Sequence, residues 1–161
     1  MIKAVVIPPA MDHPLRCVEL DPKEISVYEG VTGGNLQTYV MRNPAMTLYS
    51  NSASKTPLNV RATLMLWVHN RNTAYHTMVS GQALFTGNDE GADVDVPDEI
   101  MELVFKAQQY TVEVNGKGDG MTYEELPYAY AAAVYHMAPS IESAVSVPAV
   151  MMAKVRAWCN S

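Results

Sequence analysis

The sequence predicts a single α+β domain, with an antiparallel or mixed sheet of about six strands and helices mainly on one face. Three observations predict this class. Short β-branched or alternating segments recur through the first half, later segments have the apolar spacing of buried or amphipathic helices, and no repeat or linker divides the chain. The 161 residues are enough to bury roughly 70% of the unfolded surface without disulfides or metals. We therefore expect one domain over residues 1–161.

The N-terminal part is predicted to be a meander of short strands interrupted by one helix. Asp21 is a suitable N-cap for that helix, with Pro22 at the first helical position and Glu24 at the third. The helix should end by Gly30, before the glycine pair at 33–34. The strands of this part are predicted at residues 3–7, 15–20, 36–41 and 46–50, with the first two joined as a hairpin.

Residues 57–87 form the stretch around which the chain is organised. Residues 57–70 predict a helix that begins at an Asn59 N-cap and is apolar on nearly every face, so it has to be buried. Asn70 is a natural stop, because asparagine tolerates the left-handed conformation that ends helices. Alternation over 75–85 predicts a strand with a bulge or a close backbone approach at Gly81, ending at 87–88.

The net charge of −6 is concentrated in one short stretch, since residues 89–102 hold seven acids and no base. This balance argues against nucleic-acid binding through phosphates, whereas an acidic face could meet a basic partner or imitate nucleic acid. Asp93 and Asp95 lack the spacing of a calcium loop, so residues 88–95 are predicted to be a solvated loop. An amphipathic helix follows, and its apolar residues recur at helical spacing: Ile100, Leu103, Val104 and Ala107.

The C-terminal third is predicted to contain a strand at 110–114, a glycine-rich turn at 115–120 and two helices. The first helix begins at a capping box over 122–125 and is rich in tyrosine. The second, over 148–159, has an apolar face of Met151, Val155 and Trp158. That face can pack on its own domain or on another chain. We expect a homodimer, because a symmetric contact lets one patch serve both subunits.

Several short segments, in order along the chain, carry a resemblance to a known family: Lys3-Ala4-Val5-Val6-Ile7-Pro8-Pro9, Val18-Glu19-Leu20, Gly33-Gly34, Asn59-Val60-Arg61-Ala62-Thr63, Val79-Ser80-Gly81 and Leu84-Phe85-Thr86-Gly87. Together they resemble an uncharacterised domain of unknown function that is common in bacteriophages, notably of actinobacteria, and in mobile elements. The resemblance covers residues 1–105, departs from the family pattern at 51–55, and leaves 106–161 as a C-terminal addition. It implies a phage or mobile-element origin and a host cytoplasmic location, and no chemistry.

Four polar or aromatic residues of the central helix are the candidate ligand or partner contacts: Asn59, Arg61, Thr63 and Trp67. An arginine in a largely apolar helix must pair or reach solvent, so a structural ion pair or cap is the alternative to ligand contact. A small, nucleotide-like ligand near Arg61 and Trp67 is one functional hypothesis. Binding of a host or phage protein without catalysis is the preferred one, and an enzyme with an unrecognised site is the third.

The sequence contains no recognised catalytic set, and we expect neither a cofactor nor a metal. Cys17 and Cys159 are either a long-range pair or, as we expect, reduced thiols of a cytoplasmic protein. The apolar run at the N-terminus is too short for a signal-peptide core. No run approaches the roughly 18 apolar residues needed to cross a bilayer, so we expect no membrane association.

Overall fold

The computed structural model describes residues 1–10, 12–53, 56–74, 76–106, 112–114 and 121–123. The three helices of this part are α1 (Ile25–Thr32), α2 (Val60–His69) and α3 (Asp98–Lys106), and a 3₁₀ turn lies at Arg71–Thr73. The strands are β1 (Ile2–Ile7), β2 (Arg16–Leu20), β3 (Leu36–Met41), β4 (Met46–Asn51), β5 (Ala83–Asp89), β6 (Ala92–Val94), β7 (Val112–Val114) and β8 (Met121–Tyr123). The predicted α+β class is confirmed.

One antiparallel sheet of six strands organises the described residues, in the order β2-β1-β5-β4-β3, and β6 pairs with β5. β5 is central because Phe85 lies opposite both Val5 of β1 and Leu48 of β4. Residues 84–87 of β5 pair with β4, while β1 at 83–85 and β6 at 87–89 share its other edge. The β1–β2 hairpin and the strands predicted at 3–7, 15–20, 36–41 and 46–50 are confirmed within one residue.

Alternation along the strands creates two apolar faces, each covered by helices. Val5 and Phe85 point to the face where α2 and α3 lie, and Ala4 and Leu84 point to the opposite face against α1. Two of the three described helices thus share one face, as predicted. α2 is buried along nearly its whole length, which confirms the prediction for 57–70. α3 buries Ile100, Leu103 and Val104 of its predicted stripe, and Ala107 lies outside the described residues.

The strand predicted over 75–85 is wrong for most of its length, since β5 begins only at Ala83. The backbone before Ala83 forms hydrogen bonds with the segment at the start of α2 instead of with a neighbouring strand. Asn59 N–H donates to the Val79 carbonyl over 2.8 Å, and Gly81 N–H donates to the Pro57 carbonyl over 2.7 Å. Gly81 has a φ of 74°, and a Cβ there would press on Thr56, so the predicted close approach is real.

The predicted ends of the first two helices also need correction. α1 begins at Ile25 after an N-cap at Glu24, and the Asp21 carboxylate instead accepts the Lys23 N–H in the preceding turn. α1 continues to Thr32 and ends at Gly33, whose φ of 90° is left-handed. Asn70 does end α2, but in an extended conformation with φ −146°, so the left-handed reason is wrong.

The acidic stretch 88–95 is not a solvated loop but part of the β5–β6 hairpin, with Glu90 and Gly91 at positive φ in its turn. Further along, β7 lies within the strand predicted at 110–114 and pairs antiparallel with β8, which was not predicted, and the glycine-rich turn or mobile loop predicted at 115–120 lies outside the described residues. Thr122 belongs to β8, so the capping box predicted to start there is wrong. The two helices predicted for the C-terminal third, with Met151, Val155, Trp158 and Cys159, fall outside the described residues.

Candidate functional site

Asn59 is fully buried at the N-terminus of α2, where its side chain makes three hydrogen bonds. Its Oδ1 accepts the Ala62 N–H over 3.0 Å, which is the predicted N-cap bond. Its Nδ2 donates to the carbonyl oxygens of Ile7 and Gly81, both over 2.8 Å. The side chain therefore joins α2 to the end of β1 and to the segment before β5.

Arg61 is also buried, with 3% of its surface exposed. One guanidinium nitrogen, Nη2, donates to the carbonyls of Pro8 over 2.7 Å and Ala10 over 2.8 Å. Charge-assisted bonds of this kind are stronger than neutral ones. The arginine thus holds the segment that leaves β1, and the geometry favours the structural alternative, with backbone carbonyls as partners.

Thr63 and Trp67 continue the same seam along α2. The Thr63 hydroxyl donates to the Asn59 carbonyl over 2.7 Å and accepts the Val79 N–H over 2.9 Å. Trp67 Nε1 donates to the Thr77 carbonyl over 2.6 Å. The four predicted site residues are brought together, but each engages the fold itself.

A second polar group lies on the other face of the sheet, where Asp93 Oδ2 accepts two tyrosine hydroxyls. Tyr28 of α1 donates over 2.7 Å and Tyr49 of β4 over 2.6 Å. The two rings meet edge to face with centroids 4.8 Å apart. Burial, followed by the hydrogen bond to Asp93 and its negative charge, raises the pKa of both phenols. Both tyrosines therefore remain protonated donors.

The acidic surface consists of the charged residues of 89–102, which extend from the tip of the β5–β6 hairpin along α3. Six of its seven carboxylate residues are exposed, and Asp93 is half-buried: Asp89, Glu90, Asp95, Asp98, Glu99 and Glu102 are the exposed ones. The hairpin is tied to β1, because Asp95 Oδ1 accepts the Lys3 N–H over 2.7 Å and Val96 N–H donates to the Lys3 carbonyl. These bonds hold the hairpin backbone that carries the charges in place against β1.

A cleft of about 130 Å³ lies at the C-terminal end of α2, beside the β3–β4 turn. Six of the described residues line it: Arg42, Asn43, His69, Asn70, Arg71 and Asn72. None of them was a predicted site residue. The sequence signal was weak, because Arg42 and Arg71 lie far apart in the chain and line the same cleft only in the folded protein.

His69 forms the buried wall of this cleft. Burial lowers its pKa to about 4, and the nearby carbonyls of Asn43 and Arg42 oppose that change only in part. The imidazole is therefore neutral at pH 7. Its Nδ1 lies 3.2 Å from the Asn43 carbonyl, which can only accept, so Nδ1 carries the hydrogen. The ring of His69 therefore contacts the β3–β4 turn.

Within the described ranges, no cluster of three or more His, Cys, Asp or Glu side chains could hold a metal ion. None of the helices in those ranges has the length and apolar character needed to cross a bilayer. Cys17 is exposed on β2. Comparison with protein-family models, with curated proteins and with solved structures found no match. The resemblance to the phage family stays a prediction.

Proposed function

We propose that this chain is a non-catalytic binding protein that uses its acidic surface to engage a basic surface on a partner protein. The observation that carries the proposal is the distribution of charge: seven acids and no base in residues 89–102, six of them exposed. Clustered like charge raises association rates with a complementary partner and suppresses wrong partners. The phage or mobile-element origin, with a host or phage protein as the partner, is proposed on the sequence resemblance alone.

The rigidity of the hairpin supports this proposal. Asp93 is held by two tyrosines and Asp95 by the Lys3 backbone, so the hairpin backbone that carries the exposed carboxylates is held in place. A preorganised surface loses less conformational entropy when it binds than a mobile loop does. The candidate site residues of α2 offer no competing contact site, because their hydrogen bonds stabilise the domain itself.

A capture experiment with charge-matched variants tests the proposal. The hairpin variant carries Asp89→Asn and Glu90→Gln, both exposed at the tip. The control carries Glu19→Gln and Glu29→Gln, exposed on β2 and α1, and changes the net charge equally. Wild type and both variants are immobilised on a resin and exposed to an actinobacterial lysate at low and at high salt. The captured proteins are identified by mass spectrometry, and each is then titrated individually.

We expect a basic protein that binds wild type and the control alike. Its association with the hairpin variant should be roughly tenfold slower, and the difference should shrink at high salt because screening removes the steering. Equal binding by the hairpin variant at low salt would show that the acidic surface is not the contact.

A small-ligand function remains the second candidate. Arg61 and Trp67, where it was first placed, are 3% and 9% exposed, so a ligand there would have to displace existing contacts. The cleft at the other end of α2 is the observation that now favours this function. An enzyme with an unrecognised site is the third candidate, and no particular contact favours it.

A further inference from the structure

The cleft at the end of α2 has an unusual chemical lining. Two arginines and three asparagines surround it, and the one buried side chain in its wall is the neutral His69. Among the described residues, no acid lines it. In a chain with a net charge of −6, a cleft lined by two guanidinium groups and amides is a local reversal of sign.

The frame of the cleft is fixed by three hydrogen bonds between the β3–β4 turn and the end of α2. Arg42 N–H donates to the His69 carbonyl over 2.6 Å, and Asn70 Nδ2 donates to the Val40 carbonyl over 2.8 Å. His69 Nδ1 donates to the Asn43 carbonyl, and Asn43 itself has a φ of 48°. The two arginines are therefore presented from backbone positions that the fold determines.

The last carbonyls of α2 would normally disfavour an anion, because a helix C-terminus carries partial negative charge. Three carbonyls at this end already have donors. Leu66 accepts Asn70 N–H over 2.7 Å, His69 accepts Arg42 N–H, and Asn70 accepts both the N–H and the hydroxyl of Thr73. These bonds reduce the number of carbonyls that could repel an anion here.

The side-chain N–H donors of the two arginines differ in this respect from the carbonyls at the end of α2. Among the described residues, no hydrogen bond or ion pair engages the side chain of Arg42 or Arg71. Guanidinium groups carry five N–H donors in a planar fork that matches the geometry of carboxylate and phosphate oxygens. Both side chains are exposed, so an oxyanion that entered the cleft would replace water on their N–H donors.

We infer that this cleft binds a small oxyanion of the phosphate or carboxylate class, held between Arg42 and Arg71. The volume of about 130 Å³ is several times the roughly 30 Å³ of one water molecule and well below the few hundred Å³ of a typical drug-sized pocket. It therefore suits an ion or the charged end of a larger ligand. The neutral His69 adds a polar wall without a third positive charge. This site is separate from the acidic surface and extends beyond the proposed protein-binding function.

The acidic surface opposes the anion, because it begins close to the β3–β4 turn: Asn88 N–H donates to the Ala45 carbonyl, and Asp89 is the next residue. Both arginines are exposed, so their attraction for an anion is also screened at physiological salt. We therefore expect weak, salt-dependent binding.

Titration of the full chain with inorganic phosphate tests the inference, with sodium acetate as a second arm and chloride at equal ionic strength as the blank. Amide resonances of residues 42–43 and 69–72 should shift on saturation with phosphate. Arg42→Gln and Arg71→Gln should each weaken phosphate binding about tenfold, because each removes charge-assisted hydrogen bonds. Arg16→Gln, which removes an exposed arginine from β2, should bind like wild type.

The acetate arm separates the two ligand sources. Tighter phosphate binding assigns the site to phosphoryl groups, and equal or tighter acetate binding assigns it to carboxylates; either result supports the oxyanion site. Resonances that do not respond to either anion overturn it. So does phosphate binding that survives in both cleft variants, because the anion then sits elsewhere, and so does an equal loss in Arg16→Gln, which would mark a general charge effect.

Discussion

Tyr49 on β4 donates its hydroxyl hydrogen to Asp93 on β6 over 2.6 Å, although these two strands are not neighbours in the sheet. The bond passes across the central strand β5. Tyr28 brings α1 to the same carboxylate oxygen, so one acidic residue joins a helix and two strands. The acid that looked like part of a solvated loop is a structural centre.

Removing one hydroxyl from this centre should destabilise the domain. We expect Tyr49→Phe to lower the free energy of unfolding by about 1.5 kcal/mol, since hydrogen bonds to charged groups contribute about 1.5 to 3 kcal/mol. Tyr39→Phe, on the half-buried Tyr39 of β3, is the matched control and should change little. Urea unfolding measures both. Equal effects at the two positions would mean that the bond to Asp93 contributes nothing of its own.

Gly87 is a position where only glycine fits. A Cβ on this residue would collide with the Asp95 backbone carbonyl, because β6 passes directly beside β5 there. Gly87→Ala should therefore open the β5–β6 hairpin and cost about 1 to 3 kcal/mol. Gly30→Ala in α1 meets no atom within 4 Å and should instead stabilise by about 0.5 to 1 kcal/mol. Thermal unfolding compares the two, and a neutral Gly87→Ala would disprove the close contact.

Loss of the Asn59 side chain should be among the most damaging changes on α2. Asn59→Ala removes the N-cap, worth about 1 kcal/mol, and leaves two carbonyls without their donor, for about 3 to 5 kcal/mol in all. That loss is a large part of the free energy of unfolding of a typical domain, which is about 5 to 15 kcal/mol. Asn72→Ala, at an exposed asparagine, is the control. If denaturant midpoints fall equally in both, the three bonds of Asn59 carry no special weight.

The N-cap at Asn59 could be predicted because capping depends on residues within one helical turn. The structure of segment 76–82 could not be predicted. Its alternation is typical of a strand, but Val79 bonds to Thr63 of α2 and Gly81 to Pro57 just before that helix, about twenty residues earlier in the chain. The prediction for the acidic hairpin was wrong for the same reason, because Asp93 accepts hydrogen bonds from Tyr49 and Tyr28, which lie 44 and 65 residues away in the chain. The cleft of Arg42 and Arg71 likewise exists only in the folded chain.

His69 should make the domain less stable in mild acid. The pKa of His69 is about 4 in the folded state, against an ordinary histidine value of 6.5, so the unfolded chain takes up the proton first as the pH falls. The stabilisation due to the neutral imidazole is complete above pH 6.5, declines as pH falls towards 4, and is lost below. The loss should reach about 3 kcal/mol. Urea unfolding at a series of pH values measures the slope.

The contribution of His69 to the pH dependence of stability must be separated from the contribution of the carboxylates. His69→Gln should have a flatter dependence between pH 6.5 and 4 than wild type, whatever its stability at pH 7. His76→Gln, at an exposed histidine, should keep the wild-type slope. Parallel curves for all three proteins would show that His69 titrates normally.

The predicted homodimer has a direct test in the C-terminal addition. We expect the wild-type chain to be a dimer by light scattering, and Trp158→Ala with Met151→Ala to convert it to a folded monomer, because each large apolar side chain contributes about 1.5 to 3 kcal/mol when buried. A wild-type monomer at micromolar concentration excludes the dimer. A double variant that unfolds instead places this face, with Val155, in the core.

The central position of β5 affects how the chain folds during synthesis. The β1–β2 and β3–β4 hairpins are complete once residue 51 has left the ribosome, but the strand that joins them spans residues 83–89. Until then β1 and β4 each present an open edge, the kind of edge that pairs with other chains. A nascent chain arrested before Phe85 emerges would therefore be the species most in need of a chaperone.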